Sequence, residues 1–319
     1  MTLQKEGGTS MFSIVLSQLK ELCRTLNCEF LEQEPMARHT TFRIGGPAAM
    51  FIEPATIPQL HALARFLHEK QKEGFPWMIL GNGSNLLVRD EGYPGAVIHL
   101  GPKFSSITME PGGRIRCQSG TMLMTLSRYA AENSLSGLEF ACGIPGSVGG
   151  AIYMNAGAYG GEISDVLSSV THLSFDDDEV KLETVTPASL ELSYRHSRYQ
   201  SNQNWIVEAV FQLQPGNKAE SLAKMEQLLT ARREKQPLEY PSAGSTFKRP
   251  EGSYASLLVD QCGLKGFAVG GAQVSEKHAG FVVNKGDATC ADVLELVKQV
   301  KEIVFEKTGY VLEPEIKVV

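Results

Sequence analysis

Three polar side chains in turn or strand settings could do chemistry in this sequence: Arg195 in S-Y-R-H-S, Ser245 in P-S-A-G-S-T-F-K-R-P and Glu315 in L-E-P-E-I-K-V-V. Arg195 is a charge in a polar turn just before an apolar strand, a setting that also suits a surface arginine. Ser245 lies between Gly244 and Thr246 with Lys248 close by, and no G-x-S-x-G elbow surrounds it. Taken alone it reads as a loop serine bonding its own backbone. Glu315 falls inside an expected terminal strand, where glutamate is disfavoured unless exposed or used. None is decisive alone. Together they are the parts for proton transfer beside an anionic intermediate. A guanidinium holds developing negative charge through short, charge-assisted bonds, a hydroxyl delivers a proton, and a carboxylate orients the reacting group.

Two glycine-rich stretches offer a place for a ligand. Eight of the 31 glycines fall between Gly137 and Gly161, within the run that ends at Asp165. Glycine is weak in strands and helix interiors, so this density means that the backbone itself is used, for positive φ or for close approach of N–H groups to a ligand. Tight turns serving packing are the alternative for any isolated pair. The run is long, apolar and nearly free of charge, which favours burial beside a phosphate-bearing cofactor. It is not a G-x-G-x-x-G fingerprint, since no strand-to-helix context and no acidic ribose partner accompany it. The second stretch, G-N-G-S-N-L-L-V (Gly81–Val88), follows directly on an apolar strand. Its consecutive N–H groups and small amide and hydroxyl side chains suit a pyrophosphate; an Asn-Gly hairpin turn fits it equally.

The elements that must position these groups read as α+β. At 319 residues the chain has room for two or three domains. A net charge of −6 argues against a nucleic-acid binder, while leaving room for a local basic pocket. Neither a secretory h-region nor an apolar run of about 18 residues is present, so a cytoplasmic protein without membrane insertion is expected. The six cysteines lack C-x-x-C spacing and read as free packing thiols, and the seven histidines show no metal spacing, so no metal is expected. Residues 1–10 read as a loose tail, followed by an amphipathic helix over Met11–Leu26. His39–Ala48 reads as a short strand and Gly-Gly-Pro turn before a strand at Ala49–Glu53. Thr56 and Pro58 then open a helix. Strands follow at Trp77–Leu80, Ala96–Leu100, Ser106–Met109 and Arg114–Ser119, with a helix at Leu123–Glu132. Beyond the glycine run come a hairpin, Ser168–Phe175 and Val180–Thr184, around an Asp176–Asp178 turn, and a strand at Trp205–Leu213. Pro215–Gly216–Asn217 is the best boundary. After it come a helix over Ala219–Lys235, a loop over Leu238–Ser253, a helix at Ser256–Gln261, strands at Gly270–Val274 and Gly280–Asn284, a helix over Ala291–Lys307 and a strand, Tyr310–Val319.

Seven motifs, H-T-T-F-R-I-G-G, G-N-G-S-N-L-L-V, G-I-P-G-S-V-G-G-A-I-Y-M-N-A-G-A-Y-G-G-E, Y-R-H-S-R-Y, G-S-T-F-K-R-P, H-A-G-F-V-V-N and L-E-P-E-I, stand in one order from about residue 36 to the C-terminus. In this the sequence resembles the UDP-N-acetylenolpyruvoylglucosamine reductase (MurB) family. The resemblance implies a PCMH-type (vanillyl-alcohol-oxidase-like) FAD-binding region of two α+β subdomains, residues 1–79 and 80–214. A smaller substrate-binding domain over 215–309 follows, and a terminal strand, 310–319, returns to the first subdomain. Arg43 and the two loops, with Gly81, Asn82, Gly83, Ser84, Asn85, Gly143, Gly146, Ser147, Gly149, Gly150, Ala151 and Asn155, match FAD-binding segments. The resemblance gives Arg195 the task of stabilising an enolate, makes Ser245 the proton donor to carbon, and makes Glu315 the active-site glutamate. It places Lys235, Lys248, His278 and Asn284 at the substrate pocket. The implied reaction is NADPH-driven reduction of UDP-N-acetylglucosamine enolpyruvate to UDP-N-acetylmuramate, for peptidoglycan. Some members carry an inserted segment with a tyrosine lid after the Y-R-x-S region. The short stretch between Tyr199 and Trp205 leaves no room for it, so the chain resembles the shorter, lidless (type II) form.

Two other readings predict different behaviour. A flavin oxidase of the same fold would pass electrons to oxygen, needing neither NADPH nor Ser245. A nucleotide-binding module without catalysis would need no flavin.

Overall fold

The structure, a computed structural model, describes residues 11–176 and 179–319. The expected tail at 1–10 and Asp177 and Asp178 of the expected turn lie outside the described residues. Helix α1 (Met11–Thr25) buries Val15, Leu19 and Cys23, a stripe at i, i+4 and i+8. Helix α2 (Ile57–Gln71) opens with a capping box in which Thr56 accepts from the Gln59 N–H and the Gln59 side chain accepts from Thr56 N at 3.1 Å. Both helices cover a four-stranded sheet ordered 29–35, 47–53, 93–99, 77–80, antiparallel at its first pair and parallel at the others. The expected divide at residue 79/80 therefore falls within this sheet, because Tyr93–His99 pairs on both sides inside it.

One strand here was not expected and one expectation fails, each for a physical reason. Glu29–Pro35 is a strand that the sequence hides, since this polar edge strand buries only Glu34 and shows no apolar alternation. The expected strand over His39–Ala48 is instead a loop over residues 39–46 that leads into the strand Pro47–Glu53. Its apolar residues, Phe42 and Ile44, are 1% and 2% exposed and plug into the core of the C-terminal unit, so they serve a distant contact rather than a ladder.

A second sheet runs 179–185, 167–176, 205–212, 114–118, 107–110, antiparallel throughout. Trp205 and Val207 pack toward Leu60, Leu63 and Leu67 of α2. Ile206, Ile115 and Phe211 pack on the other side, against α3 (Leu123–Glu132) and the glycine run. That run contains a short helix, α4 (Val148–Tyr153), which its adjacent Gly149 and Gly150 concealed in the sequence. The connection from Gln200 to Trp205 is only residues 201–204, with no inserted segment.

Helix α5 (Lys218–Lys235), capped by Asn217, leads to the third unit. Its sheet runs 242–245, 281–284, 272–274, 268–269, and α6 (Ala255–Gln261) and α7 (Cys290–Thr308) pack on it. The strand Ser242–Ser245 lies inside the expected loop Leu238–Ser253. S-A-G-S carries no strand pattern, and a register shift interrupts its pairing. The expected strand over Tyr310–Val319 is reduced to Lys317–Val318, paired in parallel with Leu86–Leu87. Upstream, Pro314 makes a single bridge to Phe247, and proline has no N–H with which to continue a ladder. Among the described residues, no helix is long and apolar enough to cross a membrane.

Candidate active site

The two glycine-rich loops meet. Asn82 Nδ2 donates to the Pro145 carbonyl at 2.6 Å, and a Cβ on Gly81 would strike Ser147 Oγ. Gly83 has φ +61°, and a side chain there would collide with the His39 carbonyl. Ser84 Oγ lies 3.8 Å from where a Cβ on Gly146 would stand. Ser147 caps α4 by accepting from Gly150 N, while the Val148 and Gly149 N–H groups donate to Thr121 O and Ser119 O at 2.8 Å each. Ala151 is buried in α4, and Gly143 packs against the Arg232 side chain. The main-chain N–H groups of Asn82, Gly83, Ser84 and Asn85 meet no acceptor among the described residues. Four consecutive unspent donors, in a loop pressed so close to a second one that side chains are excluded, fit the pyrophosphate of a dinucleotide. Arg43 sits in the adjoining loop, exposed, with φ 55°.

The same run holds the Arg195 turn. Asn155, fully buried at φ 40°, donates to Ser193 O at 3.2 Å and accepts from Ser164 N at 3.0 Å. Ser197 Oγ donates to Tyr153 O at 2.7 Å. Gln200 Nε2 bonds both Tyr153 O (3.1 Å) and Arg195 O (2.9 Å). Arg195 itself has φ 55°, a strained conformation for a non-glycine residue that these bonds hold in place.

Its guanidinium reaches across the molecule. Arg195 Nε donates to Glu315 Oε1 at 2.6 Å, and Nη2 to Gly157 O at 3.3 Å. Glu315 lies in the irregular segment before the last strand. Its N–H donates to Thr246 O at 2.8 Å, and its carbonyl accepts from Asn85 Nδ2 at 3.1 Å. That one residue ties together the Arg195 turn, the segment after Ser245 and the Gly81–Asn85 loop. Burial pushes the Glu315 carboxyl above its usual value, and Arg195 only partly offsets this. Ser245 ends its strand exposed, with no hydroxyl partner among the described residues. Glu315 thus joins the Arg195 turn to the segment that follows Ser245.

The four expected substrate residues fare differently. Lys235 is exposed at the end of α5. Lys248 pairs with Glu313 at 3.2 Å beside the site, close enough to favour the ionised form of Glu315. His278 Nδ1 accepts from Gly280 N at 3.1 Å, and burial lowers the ring's pKa. Asn284 is engaged within the fold: its oxygen accepts from the N–H groups of Gly286 and Ala288, and its nitrogen donates to Phe42 O. Sequence reasoning missed Gln200, Thr41 and Asp90. Thr41 Oγ1 donates to Ser242 O at 2.7 Å, while Asp90 accepts from the N–H groups of Cys290 and Ala291, the first residues of α7. Asp90, two residues beyond the Gly81–Val88 motif and opposite a helix start, had a signal only in retrospect.

Residues 48–182 match the model of an FAD-binding domain. With its two sheets and meeting glycine-rich loops, the fold is that of an FAD-binding flavoprotein, the class expected from the sequence. Residues 236–319 match the C-terminal domain of UDP-N-acetylenolpyruvoylglucosamine reductase. The reductase of that name from Agathobacter rectalis is 49% identical over 300 residues, covering 91% of this chain and 93% of that protein. The one from Lachnoclostridium phytofermentans is 44% identical over 314 residues, covering 97% and 98%. The crystal structure of the MurB from Thermus caldophilus superposes with a TM-score of 0.74 at 37% identity, covering 91% of this chain and 98% of that one. The chain belongs to the UDP-N-acetylenolpyruvoylglucosamine reductase family.

Proposed function

We propose that this protein reduces UDP-N-acetylglucosamine enolpyruvate to UDP-N-acetylmuramate with FAD and NADPH, a step in making peptidoglycan precursors. Its partner is then a small UDP-sugar rather than a nucleic acid, and its place is the cytoplasm. The observation that supports this most is the Arg195–Glu315 pair at 2.6 Å, anchored to Gly157 of the glycine run and, through Glu315 N–H, to the residue after Ser245.

Bound FAD would supply the redox chemistry, hydride transfer between NADPH and the substrate's vinyl carbon. The Gly81–Asn85 loop and the Gly143–Asn155 run would hold its pyrophosphate, with Arg43 beside them. Arg195 spends two of its five N–H donors on Glu315 and Gly157. The others face the substrate carboxylate, onto which charge moves as the enol ether is reduced, and bind it more strongly as that charge grows. Glu315 orients the guanidinium and, with a carboxyl biased by burial toward its neutral form, stabilises the enol. Ser245 then gives its proton to the remaining carbon. A hydroxyl is a poor acid in water, and it serves here because the carbon it meets is strongly basic. Lys235, Lys248 and His278 belong to the substrate pocket in this reading, and Asn284 braces the fold beside them. Residues 1–99, 100–214 and 215–316 serve as the three units, with the last strand returned to the first.

The test is anaerobic. NADPH should bleach the flavin, air should restore it slowly, and the enolpyruvyl substrate should restore it fast. Rapid reoxidation by oxygen alone would favour an oxidase, and a protein that binds no flavin would favour a module without catalysis.

A further inference from the structure

Arg232, in the last turn of α5, is partly buried, and its guanidinium has no hydrogen-bond or ion-pair partner among the described residues. The nearby cations are occupied differently. Arg233 pairs with Glu226 at 2.5 Å, and Lys277 donates to the Arg233 carbonyl at 2.7 Å while lying 3.7 Å from Glu239. Arg232 turns instead onto the glycine run. A Cβ on Gly143 would stand 3.0 Å from its Cδ and 3.7 Å from its Nη1. Burial lowers the pKa of this guanidinium, and the titratable groups that face it are Tyr159 and Cys142, with no carboxylate among them.

A cation held partly out of water without a counter-charge is costly unless something supplies one. Arginine tolerates such a place better than lysine because its charge is spread and weakly hydrated. Gly143 lets the arginine stem lie against the run, since a Cβ there would press on its Cδ. The run continues two residues on to Pro145, whose carbonyl accepts from Asn82 Nδ2, so this cation lies against the same run that the Asn82–Asn85 loop bonds. We infer that Arg232 is a cationic ligand of the bound FAD, set against an anionic oxygen of the dinucleotide. This rests on the reading of the two loops as an FAD site. Two oxygens have the required chemistry: those of the pyrophosphate, charged in every redox state, and the C2 carbonyl of the ring, where charge gathers on reduction.

The experiment uses apoprotein of the wild type, Arg232→Gln and Arg232→Lys, titrated with FAD at two salt concentrations. Reconstituted samples are then poised for their reduction potentials, and melting temperatures are taken with and without FAD. Apo Arg232→Gln should melt no lower than the wild type, since it loses an unpaired charge. If the partner is the pyrophosphate, FAD affinity falls about ten- to a hundredfold, as for a lost charge-assisted hydrogen bond. Arg232→Lys then recovers part of it, and the salt dependence weakens. If the partner is the ring, affinity for oxidised FAD stays within about twofold and the potential becomes more negative. Unchanged affinity together with unchanged potential would overturn the assignment, even if substrate binding weakened. Wild-type apoprotein that failed to bind FAD at all would instead bring down the reading of the loops.

Discussion

At the scale of single residues, the site is built on side chains whose chemistry is set by what they touch. Glu315 shows this most sharply. It pairs with Arg195 at 2.6 Å, yet its carboxyl is displaced upward from 4.5 because burial outweighs the attraction. The folded chain therefore binds a proton here at pH values where the unfolded chain has lost it. Glu315 contributes stability at low pH that is lost as pH rises from 4.5 through the raised folded pKa. Glu315→Gln, which is neutral at every pH, should match the wild type in melting temperature at the acid end and gain on it across that window. A difference that stayed constant with pH would remove the burial account. Arg195, Ser245 and Glu315 stood out in the sequence through the motifs around them, since only the glutamate is disfavoured in the setting where it stands. Gln200 was not, because a glutamine that fixes a strained backbone looks like any surface glutamine until its two carbonyl partners are seen.

At the scale of elements, helices were legible and polar strands were not. Helices α1, α2, α3 and α7 carry apolar stripes and, in α2 and α7, capping boxes, and the ends of α1, α3 and α7 and the start of α2 lie within one or two residues of expectation. Glu29–Pro35 and Ser242–Ser245 have no such pattern, and only their partners make them strands. The loops obey a different constraint, of space. Gly83→Ala would force a left-handed φ on a residue with a side chain and drive its Cβ into the His39 carbonyl. The conformational strain alone, about 1–2 kcal/mol, is worth about tenfold in FAD affinity. Fluorescence titration of the apoprotein should show at least that loss, and an affinity equal to the wild type would mean that the loop does not contact the cofactor.

At the scale of the whole molecule, function depends on how the C-terminal unit is fastened to the flavin unit. Phe42 and Ile44 enter its core, Thr41 bonds Ser242, Glu315 bridges back to Asn85, and Asp90 caps α7. These contacts were illegible because each joins residues about 200 or more apart in sequence. Asp90→Ala should cost about 0.5–2 kcal/mol in denaturant unfolding, as for other lost caps. It should also slow reoxidation by substrate more than reduction by NADPH, because it loosens the unit that carries Ser245; equal slowing would make Asp90 a cap and nothing more. The central claim is that flavin chemistry and carbon protonation are divided between two parts of the chain, loops for the first and Ser245 for the second. Rapid-mixing measurement of both half-reactions in Ser245→Ala tests it most directly. The account predicts flavin reduction by NADPH at nearly the wild-type rate and reoxidation by the enolpyruvyl substrate slower by orders of magnitude. An equal fall in both half-reactions, or unchanged reoxidation, would contradict it.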